Sequence, residues 1–84
     1  MRIKVNLRLL KINDKIEVEL QEGSTVKSLL EKLLSIYGDD LKRLIGDPAR
    51  GFMVMVMSNG EMLKYDAPLK DESEVSLVLP IAGG

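Results

Sequence analysis

Val75-Ser76-Leu77-Val78-Leu79-Pro80-Ile81-Ala82-Gly83-Gly84 closes the chain, and its reading decides the fold. The first five residues read as a buried strand. Pro80 keeps that strand from continuing, because its nitrogen carries no hydrogen for a sheet neighbour. Ile81 and Ala82 lead from there to Gly83 and Gly84. Glycine lacks Cβ, so this backbone can enter a channel too narrow for side chains and place a terminal carboxylate at a reactive centre. A frayed end would have the same composition, since termini are commonly disordered. The position of the pair, a short step beyond the last strand of a small domain, favours the functional reading. Extended chain from Pro80 to Gly84 reaches about 17 Å.

Working back from the tail, Ser58-Asn59-Gly60-Glu61 is a hairpin signal, because Asn-Gly suits the positive φ angles of a type I′ turn. It joins Phe52 to Met57, apolar throughout and expected to be covered on both faces, to a short return strand, Met62 to Tyr65. Met53, Met55 and Met57 share one parity of that strand, and core packing is the expected use of their flexible side chains. Asp66 to Leu69 and Lys70 to Ser73 read as loop and turn before the last strand.

The N-terminal half has a different rhythm. Ile3, Val5, Leu7 and Leu9 alternate with Arg2, Lys4, Asn6 and Arg8, the pattern of a half-buried strand. Asn13-Asp14 punctuates it, and alternation resumes with Ile16, Val18 and Leu20 against Glu17, Glu19 and Gln21. The outward faces are basic on one strand and acidic on the other, which favours antiparallel pairing. Val26, Leu29, Leu30, Leu33 and Tyr37 then recur at helical spacing, with Ser24 or Thr25 as N-cap and Gly38 as C-cap. Asp39 to Gly46 suggests a short second helix capped by aspartate. The carboxylates of Asp39 and Asp40 serve there rather than at a metal, and Arg50-Gly51 reads as loop.

Composition bounds the function. Eighty-four residues make a single domain with little room for a deep catalytic cleft. Twelve basic and thirteen acidic residues are interspersed, which gives no footprint for nucleic acid. Without cysteine or histidine the chain has no thiol nucleophile, no thiolate metal site and no imidazole base. A strand pattern begins at Arg2 where a targeting segment would lie, and no apolar run is long enough for a membrane. The expected location is cytoplasmic.

The element order, β-β-α-(short helix)-β-β-β, and the di-glycine end together resemble the ubiquitin-like β-grasp family over the whole chain. Within it the chain resembles the sulfur carriers of the MoaD and ThiS type. Pro68-Leu69, then Asp71-Glu72-Ser73-Glu74-Val75, then Leu79-Pro80-Ile81-Ala82-Gly83-Gly84 carry the likeness. They are similar to the family's Pro-Leu, its Asp-Gly-Asp-Glu-Val turn and its Pro-Pro-Val-(small)-Gly-Gly tail. Leu79 stands in place of the first tail proline, and Glu72-Ser73 in place of Gly-Asp. Length and the segment after the helix favour the molybdopterin synthase small subunit (MoaD) over the thiamine sulfur carrier (ThiS).

The resemblance implies an α+β fold: a mixed sheet with one main helix on one face, residues 1–79 as the domain, and 80–84 as a flexible tail. If the last strand lies parallel beside the first, the tail is expected to leave from the sheet's edge. The resemblance also implies a chemistry. A carboxylate with a pKa near 3.5 is an anion at pH 7 and a poor electrophile. A ubiquitin-activating-type enzyme (MoeB/ThiF-like) would use ATP and Mg²⁺ to adenylate Gly84, and sulfur transfer would leave a thiocarboxylate. The large subunit of molybdopterin synthase (MoaE-like) would then receive the tail. Gly84 carries the reaction and Gly83 permits passage, while the chain itself binds no cofactor and has no complete active site. Met62 and Val78 are expected on the exposed sheet face as an apolar partner patch leading to Pro80, Ile81 and Ala82. Conjugation of Gly84 to a lysine of another protein, a thiamine-pathway carrier and an inert β-grasp module remain the alternatives.

Overall fold

The computed structural model describes residues 1–80. Strand β1, Arg2–Arg8, pairs antiparallel with β2, Asn13–Glu19, and parallel with the last strand, β7, Glu74–Val78. Strand β5, Met55–Ser58, pairs antiparallel with β7 on one side and with β6, Glu61–Leu63, on the other. The sheet order is therefore β2-β1-β7-β5-β6. The last strand is thus the central one, and the tail leaves from the middle of the sheet rather than from its edge. Helices α1, Val26–Tyr37, and α2, Asp39–Ile45, follow β2. A two-stranded ribbon of β3, Gly46–Asp47, and β4, Gly51–Phe52, connects them to β5.

One face of the sheet is covered. Ile3, Val5 and Leu7 of β1, Val56 of β5, and Val75 and Leu77 of β7 are buried with Leu29, Leu30 and Leu33 of α1 and with Leu41 and Ile45 of α2. Removing this apolar surface from water is the main stabilising term. Thr25 closes a capping box on α1: its hydroxyl accepts from the Ser28 N–H at 3.3 Å, and the Ser28 hydroxyl accepts from the Thr25 N–H at 3.3 Å. Two further N–H groups of the first turn find carbonyls in the loop after β6, Val26 to Ala67 at 3.0 Å and Lys27 to Tyr65 at 2.8 Å. The loop carrying Pro68-Leu69 is thereby stitched to the start of the helix. Gly38, at φ 70°, ends α1 by donating to the Leu34 carbonyl at 2.8 Å. It also starts α2, where no aspartate side chain caps the helix; Asp39 and Asp40 simply sit in the first turn, where the helix dipole favours negative charge.

Two other expectations are corrected. Asn13-Asp14 does not turn the chain but forms the first two pairs of β2, opposite Arg8 and Leu7. The reversal is at Leu10-Lys11, where the Leu9 N–H reaches the Ile12 carbonyl at 2.9 Å. The polar side chains are used within the hairpin: the Asn13 amide donates to the Leu9 carbonyl, and Asp14 accepts from the Tyr37 hydroxyl at 2.8 Å. That bond adds to partial burial in pushing the Tyr37 pKa up to about 12. The return strand is also shorter than expected. It ends at Leu63, and Tyr65 lies beyond it with its own task.

Candidate docking face at the root of the tail

The run from Phe52 to Met57 is covered on one face only. Val54 and Val56 are buried, while Met55 and Met57 are half-buried and Met53 is 70% exposed. The methionine stripe therefore lies outside the core, because both helices occupy the opposite side of the sheet. Pairing brings further apolar side chains to this open face: Met57 is opposite Met62 of β6, and Met55 opposite Val78 of β7. Met62 is 65% exposed and Val78 half-buried. Met53 and Met55 were visible in sequence as a stripe; what was lacking was which parity of the strand faces water.

Beside these residues lies a groove of about 570 Å³, lined by Phe52, Met53, Met55, Met62, Tyr65 and Pro80 among others. Tyr65 shapes its wall. Its hydroxyl donates to the Val54 carbonyl at 2.7 Å and accepts from the Val54 N–H at 3.3 Å, and its ring meets Phe52 edge-on at 5.9 Å. These contacts hold the irregular stretch before β5, and the Met53 N–H is tied to the Ile45 carbonyl at 2.7 Å. A smaller recess of about 290 Å³ lies on the other flank of the tail root, between Leu9, Leu10, Val78 and Leu79. Leu10, at the tip of the first hairpin, is 76% exposed. Pro80 is also exposed, so the chain emerges between two apolar recesses.

The neighbouring half of the open face is charged. Arg2 of β1 lies 3.7 Å from Glu17 and 3.6 Å from Glu19 of β2, the expected cross-strand pairing. All three are exposed, so these pairs contribute little to stability. At the seam between the halves, the Asn6 amide donates to Glu74 at 2.7 Å and holds its carboxyl below the usual range. Another recess, at α2 and the β3–β4 ribbon, is lined by charges of both signs, with Lys42 3.6 Å from Asp47. Among the described residues, no group of three or more acidic residues is placed to hold a metal ion. None of their helices is long and apolar enough to cross a membrane.

The roles expected of Ile81, Ala82, Gly83 and Gly84 fall outside the described residues. What the structure brings together is their point of departure, Pro80, with Met62 and Val78 on one surface. It adds Met53, Met55, Met57 and Leu10, which the sequence reading assigned to the core or passed over.

Residues 3–84 match the ThiS family, a match that runs through the glycine pair. No curated protein sequence matches the chain. Among solved structures, SAMP1 from Haloferax volcanii superposes with a TM-score of 0.80 at 20% identity, with 100% of both chains covered. A putative molybdopterin converting factor subunit 1 from Pyrococcus furiosus gives 0.72 at 25% identity, over 95% of this chain and 98% of that one. A chain from the complex of subunits 1 and 2 of molybdopterin-converting factor from Helicobacter pylori gives 0.68 at 21% identity, over 100% of both. The architecture is the ubiquitin-like β-grasp.

Proposed function

Because the chain belongs to the ThiS family, we propose that it is a sulfur carrier that works through Gly84 in the biosynthesis of molybdopterin. The observation that carries this reading is the family match through Gly83 and Gly84, joined to a tail root that emerges from the central strand between apolar recesses. An adenylating enzyme of the MoeB/ThiF type uses ATP and Mg²⁺ to join AMP to the Gly84 carboxylate, releasing pyrophosphate. Sulfur then displaces AMP and leaves a thiocarboxylate. A MoaE-type large subunit accepts the tail and moves the sulfur onto a pterin precursor. The solved molybdopterin-converting factor from Helicobacter pylori is a complex of two subunits, which supports a partner of this kind.

The division of labour follows from chemistry. The carrier supplies an anion that must be activated elsewhere, since it has no cysteine or histidine with which to form an acyl intermediate. Its own contributions are an unbranched end and a surface for docking. Met53, Met55, Met62 and Val78 bury apolar area against the partner, and Pro80 stiffens the chain as it leaves the sheet. Ile81 and Ala82 make the first contacts in the channel. Gly83 lets the backbone pass, and Gly84 leaves the carbonyl open to attack.

The test is thiol-directed alkylation after incubation with the adenylating enzyme, ATP and a sulfur source, read by fragment mass spectrometry. With no cysteine in the chain, a label on Gly84 reports the thiocarboxylate. Isopeptide adducts on lysines of other proteins would instead make this a protein modifier, and an unaltered Gly84 beside a working control carrier would leave an inert module. Gly84→Val is expected to abolish adenylation with the thermal melt unchanged; normal pyrophosphate release from that variant would refute this use of the tail.

A further inference from the structure

Four of the five methionines in the chain lie on one surface. Met53 and Met62 are 70% and 65% exposed, while Met55 and Met57 sit half-buried beside them on the open side of β5. Met57 is the cross-strand partner of Met62. The fifth, Met1, has a side chain that is only 3% exposed. Leucine or valine would give the same apolar character, as Val78 does in the same patch. Thioethers differ from them in flexibility and in being open to oxidation. None of the four surface sulfurs belongs to the buried core, so a change of polarity there leaves core packing intact.

We propose that Met53, Met55, Met57 and Met62 form a modification site for hydroperoxides. Oxidation begins at Met53 and Met62, turns the apolar face at the tail root polar, and uncouples the carrier from the adenylating enzyme that docks there. The inference rests on the docking role proposed above. In each event the thioether sulfur takes one oxygen from the peroxide. The O–O bond breaks, an S=O bond forms, sulfur loses two electrons, and water or an alcohol leaves. Reduction by a methionine sulfoxide reductase reverses the step, two thiols becoming a disulfide as water is released. A sulfoxide placed in a dry interface without a hydrogen-bond donor weakens docking about tenfold or more. Free carrier is exposed to this chemistry, whereas carrier already docked has these sulfurs covered. The site therefore acts on carrier waiting to be charged.

The intact protein is treated with hydrogen peroxide, which catalase removes before any enzyme is added, and oxidation is mapped by peptide mass spectrometry. Met53 and Met62 are expected to oxidise at least about fivefold faster than Met1, in line with their exposure. The far-UV circular dichroism should remain unchanged, and retention on a phenyl column should fall. Pyrophosphate release with the adenylating enzyme should drop at least about tenfold. Treatment with both epimer-specific sulfoxide reductases should restore it, and the M53L/M62L variant should resist the initial loss. Equal oxidation of Met1, unchanged phenyl retention, unchanged pyrophosphate release, or the same loss in M53L/M62L would each overturn the proposal. If the reduced protein releases no pyrophosphate beside a working control carrier, the sulfur-carrier reading fails. Oxidation order and phenyl retention then still decide whether the site exists.

Discussion

The two faces of the central sheet are made from the same strands, yet they answer to different demands. On the covered face Val56, Val75 and Leu77 are buried against α1 and α2. On the other, Met55, Met57 and Val78 are half-buried and Met62 is exposed, with no helix over them. The covered side chains are branched, which limits their rotamers and suits a fixed packing. Those on the open side are mostly unbranched and flexible, which suits a surface that receives a partner. Apolar side chains thus serve stability on one side and, in the docking role proposed above, recognition on the other, and the arrangement of the helices decides which.

The largest effect expected from breaking this contrast is on the covered side. Leu77→Ala should cost about 2–5 kcal/mol in chemical denaturation, because it opens a cavity between the central strand and the helices. Met62→Ala should alter stability by no more than about 0.5 kcal/mol, and adenylation should fall at least about tenfold. A Met62 variant that melts like a core mutant would erase the distinction between the faces.

The ribbon that leads from α2 to the sheet comes next. Gly46 follows α2 at φ 87°, and a Cβ there would run into the Gly51 carbonyl. Gly46→Ala should cost about 2–4 kcal/mol, the sum of backbone strain and overpacking. An unchanged denaturation midpoint would show that the ribbon yields easily. A gain is expected at the turn into β7. Glu72 stands where the family pattern has glycine, and its φ is 63°. Glu72→Gly should stabilise the fold by up to about 1 kcal/mol, as relief of the left-handed backbone outweighs the added freedom of the unfolded chain. Adenylation should not change, which makes the variant a control for stability effects on docking.

The smallest effect concerns pH. Asp71 accepts from the Arg2 N–H at 2.7 Å and also from the Glu72 N–H, and the first of these bonds does most to hold its carboxyl below the ordinary value. Glu74 and Asp47 are lowered as well, by the Asn6 amide and by the Arg50 N–H respectively. A lowered folded pKa means that the unfolded chain binds more protons in the acid range. The stabilisation is present above the unfolded carboxylate range, near pH 4, and is lost as pH falls through the folded values. Melts of Asp71→Asn and the parent should draw together as pH falls below the unfolded range and converge once it lies below the folded values. A gap that persists at lower pH would assign the effect to something other than the carboxylate.

Much of this was legible in the residues. Alternation gave β1 and β2, 3.6-residue spacing gave α1, and Asn59-Gly60 gave the hairpin, with φ of 52° and 79°. Each of these signals is local, and so are the forces behind it. Turn residues were harder to read. Asn13-Asp14 has turn chemistry, but the register with β1 recruits it into a strand, and its side chains find partners at Leu9 and Tyr37 that lie outside any local window.

By itself the sequence determined the main helices, the long strands and the family, because periodicity and the tail motif are properties of neighbouring residues. It read Gly46-Asp47 and Arg50-Gly51 as loop, where the structure pairs β3 with β4 and begins β5 only at Met55. It could not assign the methionines. Phe52 to Met57 is apolar at both parities, so no pattern within it says which side is dry. That was decided when β7 inserted between β1 and β5 and both helices settled on one side of the sheet. Burial is a property of what packs from elsewhere in the chain, and here it left one of two apolar faces uncovered beside the root of the tail.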